Sequence, residues 1–103
     1  MIEIIDNDLS ICEGEECYLL FYFTAKWCGP CQRIKPLLKK ISDGADASKL
    51  KVYMIDIDDN DEIAKEFQIR SVPTFYLYKK KELIGQTGGG DIKKVQELLQ
   101  NIK

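Results

Sequence analysis

Apolar positions along the chain repeat with two different periods. Tyr18 to Phe23 is continuously apolar and aromatic, the pattern of a strand covered on both faces, and this predicts a central place in a sheet. A shorter β-like run, Ile2 to Ile5, precedes it. Between them the polar stretch Asp6 to Glu16 has no period to assign. Val52 to Ile57 is rich in β-branched residues and reads as a further strand. Thr74 to Tyr78 and Leu83 to Thr87 are separated only by Lys79 to Glu82, which predicts an antiparallel hairpin.

Helical spacing governs three other segments. Ile34, Leu37, Leu38 and Ile41 make one stripe and predict a helix from about Cys31, or a little earlier, to Ser42. Pro36 lies inside it and predicts a kink, and Gly44 stands where a C-cap would end it. Asp58 to Asp61 is an acidic start for a short helix carrying Ile63, Ala64 and Phe67. After Gly88, Gly89 and Gly90, a last helix begins near Asp91 with Ile92, Val95, Leu98, Leu99 and Ile102 on its apolar face. Parallel strands joined by crossover helices and followed by a hairpin imply an α/β fold. Its mixed sheet of about five strands should carry helices on both faces.

Length and composition narrow the function. The 103 residues match one domain, 1–103, and 45% apolar with 31% charged residues is ordinary globular composition. Fifteen basic and 17 acidic side chains give a formal charge of −2, and the densest basic run, Lys79 to Lys81, reads as a solvated turn between two strands in preference to a docking site for an acidic partner. Such a surface is not a nucleic-acid footprint, and no apolar run is long enough for a membrane span. The N-terminal segment reads as neither leader nor signal peptide, so a cytoplasmic setting is expected. The chain has no histidine, which removes imidazole nucleophile activation and metal ligation.

The chemistry left to the chain concentrates at Trp27-Cys28-Gly29-Pro30-Cys31, between a buried strand and a helix. A Cys-X-X-Cys at a helix N-terminus sets two sulfurs within bonding range and the first beside unsatisfied backbone donors. Cys28 is therefore the expected attacking thiolate and Cys31, one turn inside the helix, the resolving thiol. A zinc site shared with Cys12 and Cys17, or a pair of inert core cysteines, are the competing readings. The strand-to-helix position and the flanking Trp, Gly and Pro argue against both, and no metal is assigned. Cys12 and Cys17 could close a small second loop, but two incidental thiols, one packed at the start of the strand, is the preferred reading.

WCGPC, Val72-Pro73-Thr74 and Gly89 beyond the hairpin together resemble the thioredoxin family, over nearly the whole chain from about Ile2 to Leu99. The resemblance implies the thioredoxin fold and a thiol/disulfide oxidoreductase that reduces protein disulfides, with no bound cofactor, as a monomer recycled by a thioredoxin-reductase-like enzyme. It also implies a cis Pro73 facing the redox pair and a Val72 backbone that pairs with substrate. Gly89 would keep the groove open, Trp27 would form its apolar rim, and Gly29 and Pro30 would shape the turn. Other readings are a disulfide oxidant or isomerase, a dedicated reductant of one partner similar to tryparedoxin, and a non-catalytic binding subunit.

Two positions depart from the family pattern. Tyr22 stands where the family places a buried Asp, and Met54 where a lysine often neighbours it. A phenol is a poor base at neutral pH, so Cys31 must lose its proton to water or to another group, with Asp56 and Asp58 the nearby candidates by strand alignment. Resolution slower than in the rest of the family is the expectation. The hairpin turn also lacks the usual Gly, which predicts a non-glycine residue at positive φ.

Overall fold

A computed structural model describes all 103 residues. Tyr18–Thr24 forms β2, and all seven of its residues are buried. Odd positions such as Leu19, Phe21 and Phe23 enter one core, and Tyr18, Leu20 and Tyr22 enter the other. Four strands share the sheet with it: β1 (Ile2–Glu3), β3 (Leu50–Asp56), β4 (Thr74–Lys79) and β5 (Glu82–Gly88). Their order is β1-β3-β2-β4-β5, so β2 is the middle strand. β1 and β2 run parallel to β3, whereas β4 is antiparallel to β2 and β5.

Helices cover both faces. Ile34 and Leu38 of α1 (Gly29–Gly44) and Val95 and Leu98 of α3 (Ile92–Leu99) close the core that contains Tyr22 and Phe75. Ile63 of α2 (Asp61–Glu66), with Ile4 and Cys17, closes the opposite core around Phe21, Phe23 and Tyr53. No helix is long and apolar enough to cross a membrane.

The structure corrects several details. α1 starts at Gly29, capped by Cys28, and continues without interruption through Pro36. Leu37 is exposed, so the buried stripe narrows to Ile34 and Leu38. Gly44 is the last helical residue, and the helix ends on extended Ala45. The stretch Asp6 to Glu16 contains only a 3-10 turn, Ser10–Cys12. Asn60 precedes α2 but its side chain does not cap it. Its Nδ2 instead donates to the carbonyls of Ile4 and Asp56, and its Oδ1 accepts from the Asn7 amide, all inside the protein. Asp91 does cap α3, its carboxylate accepting from the Lys93 amide.

The β4–β5 turn holds two residues, Lys80 and Lys81, both left-handed at φ 49° and 68°. The right-handed twist of the strands favours this geometry, but a Cβ there costs about 1 kcal/mol per residue. Lys81→Gly is therefore expected to raise stability by about 0.5–1 kcal/mol, partly offset by the freer unfolded chain. A urea titration should show a higher midpoint at unchanged slope; an unchanged or lower midpoint would show that no strain is stored there.

Candidate redox site

β2 ends at Thr24, and the chain then crosses the top of the sheet through buried Ala25 to the first turn of α1. The Ala25 carbonyl fixes this crossing, accepting from the Cys28 amide (3.2 Å) and from Nε2 of Gln32 (2.9 Å). Cys28 is the N-cap, and its sulfur accepts from the Cys31 amide at 3.2 Å. Cys28 and Cys31 are joined as a disulfide. After reduction the same amide faces the Cys28 sulfur at the positive end of α1, an arrangement that favours thiolate. Cys31 is fully buried, and Cys28 is nearly so.

The sequence-predicted groove residues gather around this pair. The Val72–Pro73 peptide bond is cis, and the Val72 carbonyl oxygen lies 3.6 Å from the Cys28 sulfur. Gly89 is held to this segment by its amide, which donates to the Pro73 carbonyl at 3.0 Å. Its φ of +91° is what requires glycine, since a Cβ there would meet nothing within 4 Å. Trp27 is 69% exposed, and its indole N–H donates to the Asp58 carboxylate at 2.9 Å. Gly29 and Pro30 form the first turn of α1.

Below the pair stands an aromatic residue. Tyr22 is fully buried, stacks on Phe75 with ring centres 5.3 Å apart, and pairs in register with Met54. Its hydroxyl donates to the Cys31 carbonyl at 2.7 Å. Burial is the main influence on the Tyr22 phenol and pushes it up. A group that is already donating and hard to ionise cannot serve as the base for Cys31. Neither aspartate takes that place by contact with Cys31. Asp56 accepts from the Asp58 amide at 2.9 Å, and Asp58 accepts from Trp27.

Three contributors were not anticipated from sequence. Gln32 braces the crossing. A Cβ on Gly90 would lie 3.2 Å from Cβ of Pro30, so this glycine lets the chain pass close to the redox turn. Thr24 is buried and its hydroxyl has no hydrogen-bond partner. The triple glycine and the single hydroxyl ending the apolar run at Thr24 are the available signals.

A redox-active cysteine pair at a helix N-terminus beside a cis-proline loop, on a five-stranded mixed sheet, defines a thiol/disulfide oxidoreductase. Family-level similarity agrees: residues 8–103 match the Thioredoxin family model. The chain belongs to the thioredoxin family, and protein-disulfide reduction is its activity. It is 39% identical to a thioredoxin of Malassezia sympodialis over 83 residues, covering 81% of this chain and 79% of that one. It is 36% identical to a thioredoxin of Porphyra purpurea over 99 residues, covering 96% and 84%. The crystal structure of reduced Schistosoma mansoni thioredoxin pre-protein superposes with a TM-score of 0.88 at 32% identity, covering 99% and 97%.

Proposed function

We propose that the chain is a general electron carrier to protein disulfides, with Cys28 as attacking thiolate and Cys31 as resolving thiol. The observation that carries this assignment is the Cys31 amide aimed at the Cys28 sulfur. Cys28 attacks one sulfur of a substrate disulfide, forms a mixed disulfide and releases one substrate thiol. Cys31 then attacks the Cys28 sulfur, the second substrate thiolate leaves, and two electrons have passed to substrate while the Cys28–Cys31 bond forms. With Tyr22 a donor and neither Asp56 nor Asp58 bonded to Cys31, the Cys31 proton passes to water or to the departing substrate thiolate.

Val72 supplies the backbone edge on which a substrate segment pairs, Pro73 shapes it, Gly89 leaves it unobstructed and Trp27 gives it an apolar rim. The finer setting follows from this role: a monomer taking part in electron transport and redox homeostasis in a reducing cytoplasm, recycled by a thioredoxin-reductase-like flavoprotein. Cys12 and Cys17, both free thiols, suit such a compartment.

Cys31→Ser tests the division of labour. The variant should accumulate a stable mixed disulfide between Cys28 and a disulfide-bonded model protein, visible by mass and released by dithiothreitol. Undiminished turnover by the variant would reject Cys31 as the resolving thiol. A redox titration of the wild-type pair against thiol/disulfide buffers separates the carrier from an oxidant or isomerase, because a carrier's couple must be more reducing than the glutathione couple.

A further inference from the structure

A second opening adjoins the cis-proline segment, on the face of the sheet that α2 covers. α2 is six residues long and is followed by a turn at Gln68, left-handed at φ 55°, from which the chain returns to β4. Two side chains of β4 hold this return segment in place. The Tyr76 hydroxyl donates to the Phe67 carbonyl at 3.2 Å, and the Thr74 hydroxyl donates to the Ser71 carbonyl at 2.7 Å. The segment is thus tied to β4, while β5 beyond it is the edge strand. Between the segment and β5 lies a pocket of about 340 Å³, with Gln68 and Arg70 on one side and Gln86 and Gly88 on the other. Thr74 and Tyr76, the register partners of Gly88 and Gln86, lie between them.

Arg70 is the only charged residue of this wall, and it enters none of the three ion pairs of the molecule. Both hydroxyl protons of the β4 residues are committed to backbone carbonyls. The guanidinium, flanked by two carboxamides, therefore suits an acceptor of negative charge, and its planar fork matches a carboxylate. A basic side chain would meet the Arg70 charge. The pocket is continuous with the redox groove through the backbone. Arg70 stands two residues before Val72, whose carbonyl lies 3.6 Å from the Cys28 sulfur. Gly88 precedes Gly89, which is bonded to the Pro73 carbonyl.

We propose that this pocket is a specificity subsite for an acidic side chain, an Asp or Glu close in sequence to the reactive cysteine of a protein substrate, with Arg70 as the selecting residue. The inference rests on the pairing of substrate with the Val72 backbone described above. A segment paired on an extended ledge gains affinity from its backbone and selectivity from the pockets that its flanking side chains enter. The same charge also orients the segment: a carboxylate directed at the Trp27 rim would meet Asp58, which holds the indole N–H.

The test uses disulfide-linked peptides that differ only in a single Glu, walked along both sides of the reactive cysteine, each with its Gln counterpart. Rates of reduction are expressed as kcat/KM and normalised to the rate of the same peptide with dithiothreitol, which removes any intrinsic effect of the charge on the disulfide. For wild type, Glu should be preferred over Gln by about fivefold at one or two positions, the scale of one exposed ion pair, and the preference should shrink in high salt. Arg70→Gln should bring that ratio to one. Gln86→Glu, which keeps Arg70 but gives it a carboxylate inside the pocket, should do the same. Because each ratio is taken within one protein, a general loss of activity in a variant cancels. The inference is overturned if no position favours Glu, if all positions favour it equally, as long-range attraction would, or if the preference survives Arg70→Gln. A wild type that reduces neither member of any pair rejects the reductant reading as well, whereas equal reduction of both rejects the subsite alone.

Discussion

Cys28→Ser is expected to lower disulfide reduction by about 10³-fold or more, the scale of loss when one of a set of groups acting as a unit is removed. A serine hydroxyl is not ionised at neutral pH and cannot form the mixed disulfide. The fold should not suffer, because Cys28 is the N-cap of α1 and serine is a favoured residue there, its oxygen accepting from the same Cys31 amide. Thermal unfolding alongside the activity assay therefore separates lost chemistry from lost structure.

The second large effect concerns Tyr22→Asp, which restores the residue the family pattern places under the pair. Here the surroundings have been rebuilt for an aromatic ring: Phe75 stacks on it, Met54 lies beside it in register, and the site is fully buried. Removing the ring leaves a cavity costing about 4 kcal/mol, as for other buried aromatics. The new carboxyl adds a pH-dependent term. Burial raises its folded pKa above the unfolded value of about 4, so the unfolded chain gives up the proton first as pH rises. Stability then falls by about 1.4 kcal/mol per pH unit between the two values, and the deficit is larger at pH 7 than at pH 4. Urea unfolding at those two pH values measures it, with Tyr22→Phe as the control. That variant keeps the packing and loses only the hydroxyl's bond to Cys31, about 1 kcal/mol. The kinetic readout is independent of both. If the rate of mixed-disulfide resolution in Tyr22→Asp equals that of wild type at every pH, then an acceptor beneath Cys31 does not limit this protein.

The legible parts of the chain were those where a local pattern and its tertiary role coincide. The apolar run at Tyr18 to Phe23 can be satisfied only in the middle of a covered sheet, and that is where β2 lies. Trp27 to Cys31 carries its own geometry, because a helix N-terminus follows from Gly-Pro and the apolar spacing after it. Leu37 has the helical spacing of a buried residue yet is exposed, because burial depends on where α1 lies against the sheet, which spacing along one helix does not encode. Tyr22 could be recognised as a departure but not as a donor to Cys31, since that bond depends on where the next helix is placed. Asn60, inside the acidic start of α2, carries no local sign of its role, since its amide reaches Ile4 and Asn7, more than 50 positions away.

That commitment has a consequence for how the protein behaves in a crowded solution. β1 is an edge strand, and an edge is where another chain can add itself to a sheet. By gripping the Ile4 carbonyl and the Asn7 amide, Asn60 draws the backbone inward straight after β1, and Asp6 and Asn7 turn it away at φ 54° and 56°. On this edge the ladder open to an intruding strand is thereby cut to Ile2 and Glu3, too short a template for strand addition, which leaves the seven-residue β5 as the edge where another chain could pair.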